Sequence, residues 1–196
     1  MNFLNFFYLF FRLAPFVIVC FFSLQSILNN DLKGVIYLVG LLIASMVTVS
    51  LGKLFSNDGT YTPQAMCNTI TLGDGGATLS ALPLSQTVFG YTLFYLFRFI
   101  SEYNLYSQNT ATLLLFPTLA ICDGLWNWYY SCLGDKSKTT YKVLAAFIIG
   151  SLIGGMWGSI IISTKMPGIQ YLSGISNKDV CNRPTKGMFR CRKAKK

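Results

Sequence analysis

Few residues in this sequence are of types that could do chemistry. Its 196 residues include six cysteines, seven Asp or Glu, and no histidine. Imidazole is the usual base for a Ser or Cys nucleophile, so its absence removes the common hydrolytic dyads and triads. Glu102 is the sole glutamate and falls at an expected helix end, which disfavours a glutamate-and-serine arrangement as well. No Gly-x-Gly-x-x-Gly, no Walker loop and no Cys-x-x-Cys occurs. An enzyme is therefore not expected, and no cofactor or metal has an evident ligand set.

Two carboxylates stand out by position. Asp123 lies inside the apolar run LAICDGLWNWYY, and a carboxylate at membrane depth is costly enough to suggest a proton or ion pathway. The aromatic belt of Trp126, Trp128, Tyr129 and Tyr130 argues instead that Asp123 sits one to two turns below the headgroups. There it would pair with Arg98 or leave Arg98 to snorkel. Asp74, between Gly73 and Gly75-Gly76, could build an anion nest or ligate calcium. An acid in a glycine turn is also the commonest loop composition, and that is the preferred reading.

The elements that must hold these residues follow from composition. The chain is 53% hydrophobic and 12% charged, against roughly 25% charged in soluble domains. Five apolar segments, at about 3–28, 35–51, 83–100, 110–130 and 143–163, each approach the ~20 residues needed to span a bilayer as helix. Barrel-type alternation is absent, so the expected fold is an all-α bundle of about five spans over 1–163, followed by an extramembrane tail over 164–196. No basic residue precedes the first apolar run, which contains Arg12 and Pro15; an uncleaved anchor is expected there. In the fifth segment Gly150, Gly154 and Gly158 recur every four residues, a stripe that lets another helix approach closely, in this chain or in a second copy.

Of the net charge of +9, the stretch Lys165–Lys196 carries +8, with nine Lys or Arg against Asp179 alone. Five spans place the tail on the side of Lys33, opposite Lys53, Lys136, Lys138 and Lys142. The positive-inside bias then makes the C-terminus cytosolic. Such a tail suits an acidic partner: anionic lipid, a protein surface, or nucleic acid, the last being the least expected.

Cys20 and Cys122 fall within spans. Cys67 and Cys132 share one face, and Cys181 and Cys191 share the tail, so either pair could be bridged. A reducing cytosol opposes the tail bridge unless an oxidant is present. Zinc is not expected, because two cysteines without histidine give half a ligand set.

Pro83 and Ser85 at the head of the third segment, with GSLIGGMWGSIII in the fifth, resemble the arrangement in phosphatidic-acid-phosphatase-type membrane enzymes. Those carry a Pro-Ser-Gly-His loop and use histidines as nucleophile and acid. Gln86 cannot replace them. The resemblance therefore implies at most a catalytically dead, lipid-binding relative, and Pro83 reads as a helix entry whose neighbours cap the first turn.

A second resemblance covers about half the chain. Cys181, Pro184, Phe189 and Cys191 in NKDVCNRPTKGMFRCRK, with Cys67, Leu82, Pro83 and Ser85 upstream, resemble multi-pass virion membrane proteins of large nucleocytoplasmic DNA viruses, phycodnavirus-like or mimivirus-like. Those continue past the last cysteine, whereas this sequence ends in KAKK. The resemblance implies a structural protein of a viral inner membrane derived from host endoplasmic reticulum. Its tail, through Lys186, Met188, Phe189, Arg190, Arg192 and Lys193, would contact capsid or other virion proteins. Viral sulfhydryl oxidases would supply the oxidant for a Cys181–Cys191 bridge. The competing reading from the residues is a small ion channel or carrier using Asp123 and the glycine stripe.

Overall fold

The computed structural model of the chain describes residues 3–53, 81–133, 135–164, 180–182 and 190–192. Its helices are α1 (Phe3–Asn29), α2 (Lys33–Gly52), α3 (Leu84–Glu102), α4 (Thr110–Tyr129) and α5 (Lys136–Ser163), with a 3-10 turn at Tyr106–Gln108. In the tail, β1 (Val180–Asn182) pairs antiparallel with β2 (Arg190–Arg192). This small ladder is an addition to the all-helical expectation.

Among the described residues two helices, α2 and α5, are long and apolar enough to cross a membrane. Their 20 and 28 residues extend roughly 30 and 42 Å at 1.5 Å per residue. A bundle of five spans is thus not established by length and composition. For α3 the reason is its position: it touches each of the other four helices. Gln86, Thr87, Tyr91, Thr92 and Tyr95 are all buried on it. A helix surrounded by helices can carry hydroxyls and amides that an outer helix cannot.

Small residues let α3 and α5 meet. A Cβ at Gly150 would overlap the Thr87 carbonyl, and one at Gly154 the Tyr91 carbonyl. At Gly158 it would come within 3.3 Å of the Tyr95 carbonyl. Gly90 on α3 returns the contact, lying against the Phe147 carbonyl of α5. On α2, Gly40 receives the Tyr91 hydroxyl and the Trp157 indole.

Hydrogen bonds then join the helices across the core. Tyr37 Oη and Thr92 Oγ1 are 2.7 Å apart, Tyr91 Oη donates to the Tyr37 carbonyl at 3.0 Å, and Trp157 Nε1 donates to the Ile36 carbonyl at 3.1 Å. Rings fill what remains, with Tyr37, Phe89, Tyr91, Tyr95 and Phe99 fully buried.

The outside reverses this pattern. Large apolar side chains point away from the bundle on α1, α2, α4 and α5, including Phe21, Met46, Leu125, Leu152 and Met156. Glycines, hydroxyls and packed rings hold the helices together inside, and large apolar side chains dominate these outer faces.

The turns are tight. Asn30, Asn104 and Ser131 close the α1–α2, α3–α4 and α4–α5 connections with φ of 50°, 52° and 50°, a left-handed conformation that Asn tolerates better than most residues. α5 begins at Lys136 rather than Val143. Its polar first turns, KSKTTYK, read by hydropathy as loop, yet Thr139 and Lys142 are buried, and Lys142 Nζ donates to the Leu133 carbonyl at 3.1 Å.

Candidate functional site

The buried inner stripe of α4 is Phe116, Ala120, Asp123 and Asn127, at alternating spacings of four and three. Asp123 is thereby turned away from the exterior, and only 3% of its surface is exposed. Opposite it stands the first turn of α3. Ser85 Oγ donates to Asp123 Oδ2 at 2.7 Å, Gln86 Nε2 donates to the same oxygen at 2.8 Å, and Asn127 Nδ2 reaches it at 3.2 Å.

Each amide is used twice. Gln86 Nε2 also donates to the Ala120 carbonyl at 2.9 Å, and Asn127 Nδ2 to the Asp123 carbonyl at 2.8 Å. Three neutral donors converging on one carboxylate oxygen form a clamp that satisfies a buried polar group. Chemically the cluster holds an acceptor in place. Ser85 meets an oxygen that already receives two amides, so its hydroxyl is one of three donors that hold the carboxylate between α3 and α4.

This constellation was not expected from the residues. Pro83 is the N-cap of α3, with no side-chain cap bond, and Ser85 is spent on Asp123 instead of capping. Arg98 is not Asp123's partner: its Nε donates to Ser159 Oγ at 2.9 Å, near the far end of α3. The available signal was Asn127 one turn after Asp123, facing a Ser-Gln pair at the head of an apolar helix.

Other expected sites are placed as follows. Gly150, Gly154 and Gly158 pack on α3 within the chain. Cys132 is disulfide-bonded, and Cys67 lies outside the described residues, as does Asp74. Cys20 and Cys122 are free, half-buried thiols. Cys181 is directly opposite Cys191 in the β1–β2 register, and Arg190 and Arg192 flank that pair, facing Asn182 and Val180 along the ladder. Lys186, Met188, Phe189 and Lys193 lie outside the described residues. Among the described residues no group of three or more His, Cys, Asp or Glu could hold a metal.

A groove of about 580 Å³ runs between α4 and α5. Pro117, Ile121, Leu125, Val143 and Leu144 form its walls, Gln86 contributes to its lining, and Trp128 and Thr140 line the end toward the α4–α5 turn.

No family model, curated protein or solved structure matches the chain. The described residues define a class by themselves: a bundle of five helices with a polar and aromatic interior, an apolar outer face, and a clamped carboxylate between α3 and α4.

Proposed function

We propose that the chain is a non-catalytic integral membrane protein whose five helices all cross the bilayer. In this reading it is a structural component of a virion's internal membrane, and its basic tail holds that membrane to the surrounding capsid. The observation that carries the membrane part is the inverted surface. Monomeric soluble proteins rarely expose contiguous apolar faces of this extent, whereas membrane helices associate through small residues and buried hydroxyls.

The filled core favours a scaffold over a conduit. Tyr37, Tyr91, Tyr95 and Phe99 occupy the centre of the bundle in mutual ring contact. The burial of Asp123 is the one observation on the side of a channel or carrier, but its donors tie it to the helix pair.

The virion assignment rests on the tail resemblance. The Cys181–Cys191 register supports it, because a bridge there would fix Arg190 and Arg192 in one strand of the basic tail. Met188 and Phe189 would supply apolar anchors to a capsid or minor capsid protein. The C-terminus would face the cytosol, on the capsid side of a membrane derived from the endoplasmic reticulum.

Mass spectrometry of purified particles, with a chain lacking Lys165–Lys196 as comparison, tests the proposal. The full chain should be found in particles and co-purify with capsid proteins, and the truncated chain should insert but lose them. Absence from particles, or capsid association without the tail, rejects it.

A further inference from the structure

The groove between α4 and α5 has no part in the scaffold just described. We propose that it is a lateral site for one acyl chain of an anionic phospholipid, whose headgroup lies at the Lys136 end; this rests on the reading of α4 and α5 as membrane spans.

Shape and lining point to a chain. From Pro117 to Trp128 the groove follows α4 for roughly 16 Å at 1.5 Å per residue, and its volume of about 580 Å³ lies in the range of ligand sites. Its one deeply buried amide makes no demand on an occupant, because Gln86 already donates to Ala120 and Asp123. Gly124 keeps the interior open: a Cβ there would lie 3.3 Å from Val143 Cγ1 and 3.6 Å from Gln86 Nε2.

The opening points to lipid rather than to a soluble ligand. Ile121, Leu125 and Leu144 on the rim are 61%, 59% and 55% exposed, so the groove is continuous with the apolar exterior.

The charge at its end selects the headgroup. Lys136 Nζ stands 4.8 Å from the centroid of the Trp128 ring, and Thr140, one turn further along α5, lines the groove on the same helix face. The Thr140 hydroxyl donates to the Lys136 carbonyl at 2.9 Å, so the headgroup contact falls to the ammonium: a cation held over an indole at the mouth of an apolar slot suits a phosphate ester.

Native mass spectrometry of the full chain in detergent tests this, with palmitoyl-oleoyl phosphatidylglycerol and the matching phosphatidylcholine as probes. The wild type should retain one phosphatidylglycerol in preference to phosphatidylcholine. Gly124→Leu, which fills the slot, should retain neither. Gly155→Leu, whose added side chain starts from a position with nothing within 4 Å, should behave as wild type. Lys136→Glu leaves the slot intact and should lower the preference for the anionic lipid roughly tenfold.

Retention by folded Gly124→Leu at the wild-type level overturns the proposal. So does an unchanged preference in Lys136→Glu, which also decides the matter if Gly124→Leu fails to fold. A wild type that fills the groove by dimerising, with lipid retention unchanged when Gly124→Leu makes it monomeric, overturns it as well. Alkaline extraction of membranes separates the two levels. Release of the chain rejects the membrane reading and the lipid site together, whereas a retained chain with lipid-indifferent variants rejects the site alone.

Discussion

Gln86 stands between α3 and α4 with both amide hydrogens committed, one to Asp123 Oδ2 at 2.8 Å and one to the Ala120 carbonyl at 2.9 Å. Replacing it with Leu removes both bonds, while Asp123 Oδ2 keeps Ser85 and Asn127 as donors. The expected loss is that of the two bonds themselves, about 1–3 kcal/mol in all, read as a lower unfolding temperature in detergent. The double variant Gln86→Leu with Asp123→Leu should lose less than the sum of the single variants, since the pair acts as one unit.

The same pair separates a clamp from a conduit. If Asp123 serves structure, liposomes containing the wild type show no ion flux above empty vesicles, and Asp123→Asn changes stability without changing flux. Flux in the wild type that disappears in Asp123→Asn would assign the carboxylate to transport.

Close packing at the glycine stripe gives a position-specific prediction. Gly154→Ala sets a methyl against the Tyr91 carbonyl, which is backbone and cannot rotate away, so about 1–3 kcal/mol should be lost. Gly155→Ala, the next residue, meets nothing within 4 Å and should be neutral or gain up to about 1 kcal/mol from helix propensity. Equal effects at the two positions would contradict this packing.

Five helices were legible in the sequence because long apolar runs punctuated by Asn, Ser and Gly leave few alternatives. The Gly150–Gly158 period likewise marked a face for close approach. Hydropathy could not reveal that Lys136–Lys142 is helical, because a polar first turn reads like a loop. Nor could it set the rank of the helices: α3 is the centre of the bundle, and its Thr and Gln lower its apolar score for that reason. The carboxylate clamp was hidden for another reason. Ser85 and Asp123 are 38 residues apart, and only the crossing of α3 and α4 brings them together.

Thiol chemistry offers an independent check. Cys132 is disulfide-bonded and Cys20 and Cys122 are free, while Cys181 faces Cys191 across the ladder. Chain denatured without reductant should therefore take up two maleimide groups when the tail bridge has formed, and six after reduction, the full cysteine count. Four before reduction would mean that the tail thiols remain open and that the basic hairpin is held by backbone pairing alone.

The number of spans turns on the connection between α3 and α4. If all five helices cross, the 3-10 turn at Tyr106–Gln108 emerges on the same side as Lys33 and the tail. If only α2 and α5 cross, that turn lies on the opposite side, while Lys33 and the tail keep their places. Ser107 is exposed, so Ser107→Cys should be tolerated. Sealed vesicles treated with a membrane-impermeant maleimide, with the wild type as background, then report its side. Labelling together with a C-terminal tag epitope supports five crossings. Labelling only when the tag is protected would leave α3 and α4 on one side of the membrane, and the clamped Asp123 would no longer be an intramembrane carboxylate.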